Sequence, residues 1–130
     1  MSEDYATLLK RRAMKFLEAA KADFARGDYD LTLFHVEQFL RLYFKYLLYR
    51  RIGDYPKAHS LIRLIRDAIK VYGDDRLREF YEGDLEALYL LEEAYIASRY
   101  LPRQYDGEIA GRVLRFAERA LEVVRWLEGL

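Results

Sequence analysis

Apolar and polar residues along this chain follow the three- and four-residue spacing of amphipathic helices. From Tyr5 to Phe24, apolar residues recur at positions 5, 9, 13, 16, 20 and 24, which places them on one helical face. Gly27 is predicted to end this first helix, because glycine is common just past a helix. Asp28 is then expected to cap a second helix that runs to about Ile52.

Proline, glycine and aspartate mark the helices that follow. Pro56 stands where a first-turn proline is tolerated, so we predict a third helix from Pro56 through Val71, with Gly73 as its stop. Either aspartate of the Asp-Asp pair at positions 74 and 75 can cap a fourth helix, which reaches about Tyr100. We therefore expect one uninterrupted helix over this stretch.

The last connection is short. Pro102 disfavours helix at the residue before it, so residues 101–105 are predicted to form a loop, and a fifth helix begins at Asp106. No alternating strand pattern competes along the sequence. We expect an all-α fold in one domain over residues 1–130. Its predicted architecture is an antiparallel up-down helical bundle of four long helices plus one shorter helix.

The second predicted helix is apolar on nearly every face, although it carries His35, Gln38 and Lys45. Such a helix is buried against several neighbours or against another copy of itself. Tyrosines at positions 43, 46 and 49 suit either an interface or stacked bases, and the neutral net charge favours the interface. We expect this helix to seal against a twin in a homodimer.

Composition narrows the class of protein. Lys plus Arg and Asp plus Glu number 22 each, and this neutral balance argues against broad nonspecific nucleic-acid binding. No run approaches the about 20 apolar residues that span a bilayer, and the N-terminus has no signal-peptide pattern. We expect a cytoplasmic protein with no membrane partner. The absence of Asn and Cys, with a high charged fraction, resembles thermophile composition.

Metal and nucleophile chemistry have little support in the sequence. There is no cysteine, the two histidines are far apart, and no Glu-x-x-His pair occurs. None of the three serines lies on a Gly-x-Ser-x-Gly turn. We expect no metal site, no cofactor and no catalytic triad.

A cluster of cationic and aromatic residues surrounds Pro102. It consists of Ser98, Arg99, Tyr100, Arg103 and Tyr105. Arginine offers a planar fork for phosphate and tyrosine a face for stacking, so the cluster is a candidate nucleotide or phosphate site. The alternative is that Arg99 interacts with the carbonyl end of its helix while the tyrosines pack the loop.

Three other polar residues are candidates for a cleft. His35 and Gln38 are three residues apart and share a helical face, and His59 follows Pro56 closely. Each is open to two interpretations: a ligand contact, or a hydrogen-bonded structural residue that fixes helix register or a helix start.

Three segments occur in an order that resembles a known family. They are GDYDLTLFHVEQFLRLYFKYLL, DYPKAHSLIRLI and YIASRYLPRQYD. Together they resemble the HEPN family, the small helical domains named for nucleotide binding in higher eukaryotes and prokaryotes, over nearly the whole chain. The resemblance implies four long antiparallel helices plus a shorter one, and a homodimer. It also implies a nucleotide or RNA-end ligand, a minimal nucleotidyltransferase partner, or both, in some relatives as a toxin–antitoxin pair.

Ribonuclease members of that family carry Arg-x4-His, often followed by x-Tyr. Arg99 matches the arginine, but Gln104 stands where the histidine belongs, and Tyr105 follows directly. Glutamine cannot transfer a proton near neutral pH as imidazole does, so we expect binding rather than catalysis. A degenerate metal-independent ribonuclease and a purely structural interaction module stay open as alternatives.

Overall fold

The structure, a computed structural model, describes residues 4–55, 57, 60–100 and 104–130, with the backbone alone at 97–100. Over these residues it contains helices and no strand, which confirms the all-α prediction. The helices are α1 (Tyr5–Arg26), α2 (Tyr29–Ile52), α3 (Leu61–Tyr72), α4 (Asp75–Gly83), α5 (Leu85–Tyr100) and α6 (Gly107–Glu128). The up-down order of the bundle stays a prediction.

The first two helices end where glycine predicts. Gly27 follows α1 with φ 81°, and Gly53 follows α2 with φ 75°, a left-handed backbone that glycine adopts without a Cβ clash. Asp28 precedes α2 as expected, but its side chain makes no capping hydrogen bond and pairs with Arg26 at 3.2 Å instead. Because only Gly27 and Asp28 separate the two helices, the chain turns back and α1 packs along α2.

The third helix begins later than Pro56 predicts. It starts at Leu61, after Ser60, whose hydroxyl accepts a hydrogen bond from the Arg63 amide at 3.2 Å. Ser60 also donates to Glu92 Oε1 at 2.9 Å, and the Ile62 amide donates to the same oxygen at 3.0 Å. The serine cap and the carboxylate on α5 together satisfy amides at the start of α3, so the helix begins there.

The prediction of a single helix between positions 74 and 100 was wrong. The fourth helix ends at Gly83. Asp84 then accepts a hydrogen bond from the Ala87 amide at 3.2 Å, as an N-terminal cap does. Arg112 on α6 donates to the same carboxylate oxygen at 2.8 Å. A cap and a cross-helix ion pair therefore fix α4 and α5 as separate helices, and the described residues contain six helices rather than five.

The α2 helix is the centre of the fold and packs against α1, α3, α5 and α6. Its buried apolar side chains are Leu33, Val36, Phe39, Leu40, Tyr43, Phe44, Leu47 and Leu48, each with no exposed surface. The expectation that this helix seals against a twin was wrong, since its own chain covers it. On α2, Leu31 and Ile52 near its two ends are exposed, whereas α5 carries three exposed large apolar side chains, Leu85, Tyr89 and Ile96.

The end of α6 is tied to the other helices through one carboxylate. Glu128 accepts hydrogen bonds from Tyr43 on α2 and from Lys10 on α1, the latter at 2.7 Å. Because Tyr43 is buried, this bond satisfies a hydroxyl that would otherwise lack a partner. None of the described helices combines the length and the apolar composition that a membrane-crossing helix needs.

Candidate functional site

The residues around Pro102 are only partly described. Ser98, Arg99 and Tyr100 belong to the last turn of α5, and their side chains lie outside the described atoms. Arg103 and His59 lie outside the described residues. Two neighbours are described, and they differ: Gln104 is exposed, whereas Tyr105 packs against the core with its hydroxyl oxygen shielded from solvent.

His35 lies between α1 and α2. Its Nδ1 is 2.5 Å from Asp23 Oδ2, and the ring stacks on Phe16 at 5.8 Å between centroids. Asp23 is buried and also accepts a hydrogen bond from Arg26 at 2.7 Å. These contacts favour the structural interpretation of His35, a hydrogen-bonded link between two helices.

Gln38 connects to a buried ion pair. Its side-chain amide donates to Glu37 Oε2 at 2.7 Å, while Arg41 Nε donates to Glu37 Oε1 at 2.6 Å. Glu37 has no exposed surface and Arg41 keeps 7%. Gln38 therefore helps to hold the carboxylate that orients Arg41, and its place in a cleft stays a prediction.

A cavity of about 420 Å³ opens on the other side of this ion pair. Its lining residues are Tyr5, Arg41, Lys45, Tyr49, Asp54, Tyr55, Lys57 and Tyr95. We call it the Arg41–Lys45 pocket. It collects the start of α1, the second half of α2, the connection after α2 and the second half of α5, so it exists only once the bundle is formed.

Arg41 is fixed from two sides. Glu37 accepts its hydrogen bond, and its guanidinium carbon lies 4.4 Å from the centre of the Tyr95 ring, within cation–π range. Burial raises the pKa of Glu37, although the charge and the hydrogen bond of Arg41 act in the opposite direction. The pair is a rigid wall of the pocket, with most of the arginine charge compensated.

Lys45 has no carboxylate partner of the kind that Glu37 provides for Arg41. It follows Arg41 by one helical turn, and its Nζ lies 5.3 Å from the centre of the Tyr55 ring. It forms no ion pair with any residue that the structure describes. Burial, and secondly the like charge of Arg41, lower the pKa of Lys45. Both effects disfavour the ammonium ion. An anion bound beside Lys45 would offset them, because a negative charge stabilises the ammonium form.

Three tyrosines surround the lysine. Tyr5 and Tyr55 join through their hydroxyl groups, and the Tyr5 ring meets Tyr49 edge-to-face at 5.2 Å between centroids. The hydrogen bond with Tyr5, together with burial, raises the pKa of Tyr55 to about 12. At neutral pH this hydroxyl group stays protonated, so Tyr55 adds no negative charge beside Lys45.

Position 99 connects the pocket to the cluster that the sequence singled out. It lies one helical turn after Tyr95 on α5, so the backbone places Arg99 at the end of the helix face that carries Tyr95. It also lies three residues after Ile96, one of the exposed apolar residues of α5. The pocket, position 99 and the exposed stripe are therefore neighbours along a single helix.

A larger cavity, of about 540 Å³, lies between α4 and α6. Phe80, Phe116 and Trp126 supply its aromatic surface, with Phe80 and Phe116 stacked at 4.7 Å between centroids. Its charged lining residues are Arg76, Glu79, Asp84, Arg119 and Glu122. Acids and bases are nearly balanced there, so this groove has no preference for an anion and the smaller pocket is the stronger phosphate candidate.

The described residues contain no group of three or more histidine or carboxylate side chains that could hold a metal ion. The described lining residues of the Arg41–Lys45 pocket offer cations, tyrosine hydroxyl groups and aromatic faces, together with the carboxylate of Asp54. These groups suit the recognition of an aromatic anion.

Comparison with known proteins agrees with this fold. The model of the HEPN domain family matches residues 6–127. Because the match covers nearly the whole chain, the protein belongs to the HEPN domain family. A search of curated proteins finds no match.

The sequence did not predict the pocket. In the sequence, Lys45 and Tyr49 are features of an apolar helix, and no pattern links Tyr5, Tyr55 and Tyr95 to one another. The available signal was a lysine one turn after an arginine in a helix that is otherwise apolar. Which tyrosines would surround it depends on helix packing, which periodicity does not give.

Proposed function

We propose that this HEPN domain holds the phosphate group of a nucleotide or of an RNA end in the Arg41–Lys45 pocket. The observation that carries the proposal is the environment of Lys45: a partly buried ammonium group beside Arg41, among tyrosine rings, with no ion pair among the described residues. A phosphate group would supply the missing counter-charge, and a ring face would supply a stacking surface for a base.

Arg99 joins this site as a second phosphate contact at the rim. Its support is its position on α5, one turn beyond Tyr95, and its match to the arginine of the family's Arg-x4-His motif. Ser98, Tyr100 and Arg103 follow as candidates because they are its neighbours in the chain. Tyr105 drops to a packing role, since its hydroxyl oxygen is shielded from solvent.

The domain acts as a homodimer through α5. Leu85, Tyr89 and Ile96 recur on one face of this helix and are 36%, 63% and 58% exposed. A second copy of the same helix would cover this stripe, as symmetric dimers commonly do with a self-complementary face. Position 99 then lies at the edge of the interface, which brings the proposed Arg99 contact close to the seam between two copies.

We propose binding without RNA cleavage. The lining residues of the pocket, as the structure describes it, include no histidine, and Gln104 is exposed and cannot transfer a proton. A minimal nucleotidyltransferase is the proposed protein partner, supported by the family alone. Co-purification of the chain with a nucleotidyltransferase from the same genome would test that partner, and separate elution of the two proteins would reject it.

Titration of the purified chain with AMP, ATP and a short RNA in chelator tests the ligand proposal. We expect binding of at least one of them, loss of about tenfold in affinity for Lys45→Met, and a similar loss for Arg99→Ala. The RNA is expected to stay intact during the incubation. If the wild-type chain binds none of these molecules, the domain is an interaction module rather than a nucleotide-binding one.

Sedimentation analysis tests the dimer. The double variant Tyr89→Glu, Ile96→Glu is expected to sediment as a monomer, because two charges would be buried at the centre of the stripe. Ile52→Glu is the matched control, since Ile52 is 56% exposed at the end of α2 and outside the stripe. A wild-type chain that sediments as a monomer at high concentration would refute the dimer.

A further inference from the structure

The charges of the pocket limit what it can hold. Among the described lining residues, Arg41, Lys45 and Lys57 are the cations and Asp54 is the one carboxylate, while Glu37 behind the wall compensates Arg41. One positive charge is left over. At neutral pH one phosphate monoester carries about −1.5 to −2 charges, so a single phosphate group already compensates this excess. Arg99, proposed above as a second contact at the rim, would add one positive charge to the same phosphate group, whose charge of about −2 still balances the sum. Further phosphate groups would meet no additional cation among the described lining residues.

The size of the pocket also favours a ligand with a single phosphate group. Its volume of about 420 Å³ lies toward the lower end of the range of small-molecule sites, roughly 300 to 1,000 Å³. Such a volume suits one base with its sugar and one phosphate group.

The lining residues also limit base recognition. Those that the structure describes include no asparagine or glutamine, the side chains that usually pair with base edges. What they offer are the faces of Tyr49 and Tyr95 and the joined hydroxyl groups of Tyr5 and Tyr55. Stacking on an aromatic face tolerates any base, because every base has a π-face.

Building on the proposed function, we infer that the Arg41–Lys45 pocket accepts one nucleoside monophosphate unit, is selective for the number of phosphate groups, and is tolerant of the base. The unit is either a free mononucleotide or the phosphorylated end of an RNA strand. Lys45 selects for the phosphate group, and the tyrosines hold the base. Nucleoside triphosphates are then poor ligands, although they contain the same base and sugar.

Calorimetric titration of the full chain with adenosine, AMP, ADP, ATP and inorganic phosphate tests this inference. We expect AMP to bind at least about tenfold more tightly than adenosine or phosphate alone, and ATP to bind about fivefold or more weakly than AMP. UMP and GMP are expected within about tenfold of AMP, since stacking varies little among bases. ATP binding as tight as AMP would overturn the inference and leave the proposed function intact, whereas no nucleotide binding would overturn both.

Short RNAs with and without a 5′-phosphate distinguish the two sources of the unit. Tighter binding of the phosphorylated RNA than of AMP assigns the pocket to RNA ends, and the reverse order assigns it to free mononucleotides. Equal binding of the phosphorylated and unphosphorylated RNAs, together with no preference for AMP over adenosine, would overturn the inference.

Lys45 variants test which group selects the phosphate. In Lys45→Met, AMP affinity is expected to fall to that of adenosine, and Lys45→Arg is expected to restore much of the difference. Lys10→Met is the matched control, because Lys10 also lies near a tyrosine ring, 5.8 Å from the centre of Tyr46, but is paired with Glu128 at 2.7 Å. Circular dichroism establishes that each variant is folded. A folded Lys45→Met chain that still prefers AMP over adenosine would refute the role of Lys45.

Discussion

Arg112 on α6 donates a hydrogen bond at 2.8 Å to Asp84, the residue that begins α5. The same carboxylate caps the Ala87 amide at 3.2 Å, and only 13% of the Asp84 side chain is exposed. One side chain therefore separates α4 from α5 and attaches the start of α5 to α6. Since α5 carries Tyr95 and the exposed stripe, this contact helps to set the position of the candidate site.

Asp84→Ala is expected to destabilise the fold through loss of this cap. Replacing a capping aspartate with alanine costs about 0.5 to 2 kcal/mol. Loss of the ion pair with Arg112 adds little to this cost, because the Arg112 side chain is partly exposed. Urea denaturation measures the change. Asp75→Ala is the control, because Asp75 lies in the first turn of α4, is exposed, and pairs with Arg78 at 3.5 Å. Equal stability of both variants would contradict the capping role.

Glu37 and Arg41 form a buried pair whose halves depend on each other. Removing one partner with Glu37→Leu takes away the carboxylate that pairs with Arg41, which costs about 3 to 5 kcal/mol. The double variant Glu37→Leu, Arg41→Met is expected to lose less than the sum of the two single changes, because neither charge is left alone. Denaturant unfolding of the wild type, the two single variants and the double variant gives the coupling energy. A coupling energy near zero would contradict the interaction between Glu37 and Arg41.

Glu128 stabilises the fold through the buried hydroxyl group of Tyr43. In Glu128→Ala that hydroxyl loses its acceptor, at a cost of about 1 to 3 kcal/mol for an unsatisfied buried group. Tyr43→Phe in the same background removes the unsatisfied group and is expected to recover part of the loss. Thermal unfolding followed by circular dichroism measures both. Glu122→Ala, an exposed change on the same helix, is expected to have little effect.

As the pH rises, ligand affinity is expected to fall at a lower pH than it would if Lys45 had the usual pKa of a lysine. Burial, and then the charge of Arg41, lower the pKa of Lys45 below its usual 10.5. An anion favours the ammonium form, so the bound-state pKa is higher than the free-state pKa. Affinity is therefore retained below the free-state pKa and is lost as the pH rises through it. The second ionisation of the phosphate group, near a pKa of about 6, lies outside this window.

Affinity for AMP between neutral pH and pH 10, measured on wild type and on Lys45→Arg, checks this prediction. Arginine stays charged throughout, so the variant is expected to show a flatter profile. The other titratable and charged groups facing Lys45 are common to both chains: Tyr5, Glu37, Arg41, Tyr49, Asp54, Tyr55, Lys57 and Tyr95. Identical profiles for the two chains would exclude Lys45 as the titrating group.

Helix ends were the most predictable part of this fold, and the exceptions have local causes. Gly27, Gly53 and Gly73 all end helices in the left-handed conformation, as their positions in the sequence indicate. The break at Gly83 and Asp84 was missed because the apolar pattern continues on both sides of it, although glycine followed by aspartate is a recognisable stop and cap. The start at Ser60 was missed because Pro56 offered an earlier start that the chain does not use.

By itself, the sequence determined that this protein is helical, where most of its helices end, and which side chains are apolar, because these properties depend on residues a few positions apart. Tertiary structure decided what covers α2, since a periodic pattern does not say whether a neighbour belongs to the same chain or to another copy. It also decided that Tyr5, Lys45 and Tyr95 share one pocket. These residues come from different helices, and only the packing angles between those helices bring their side chains together.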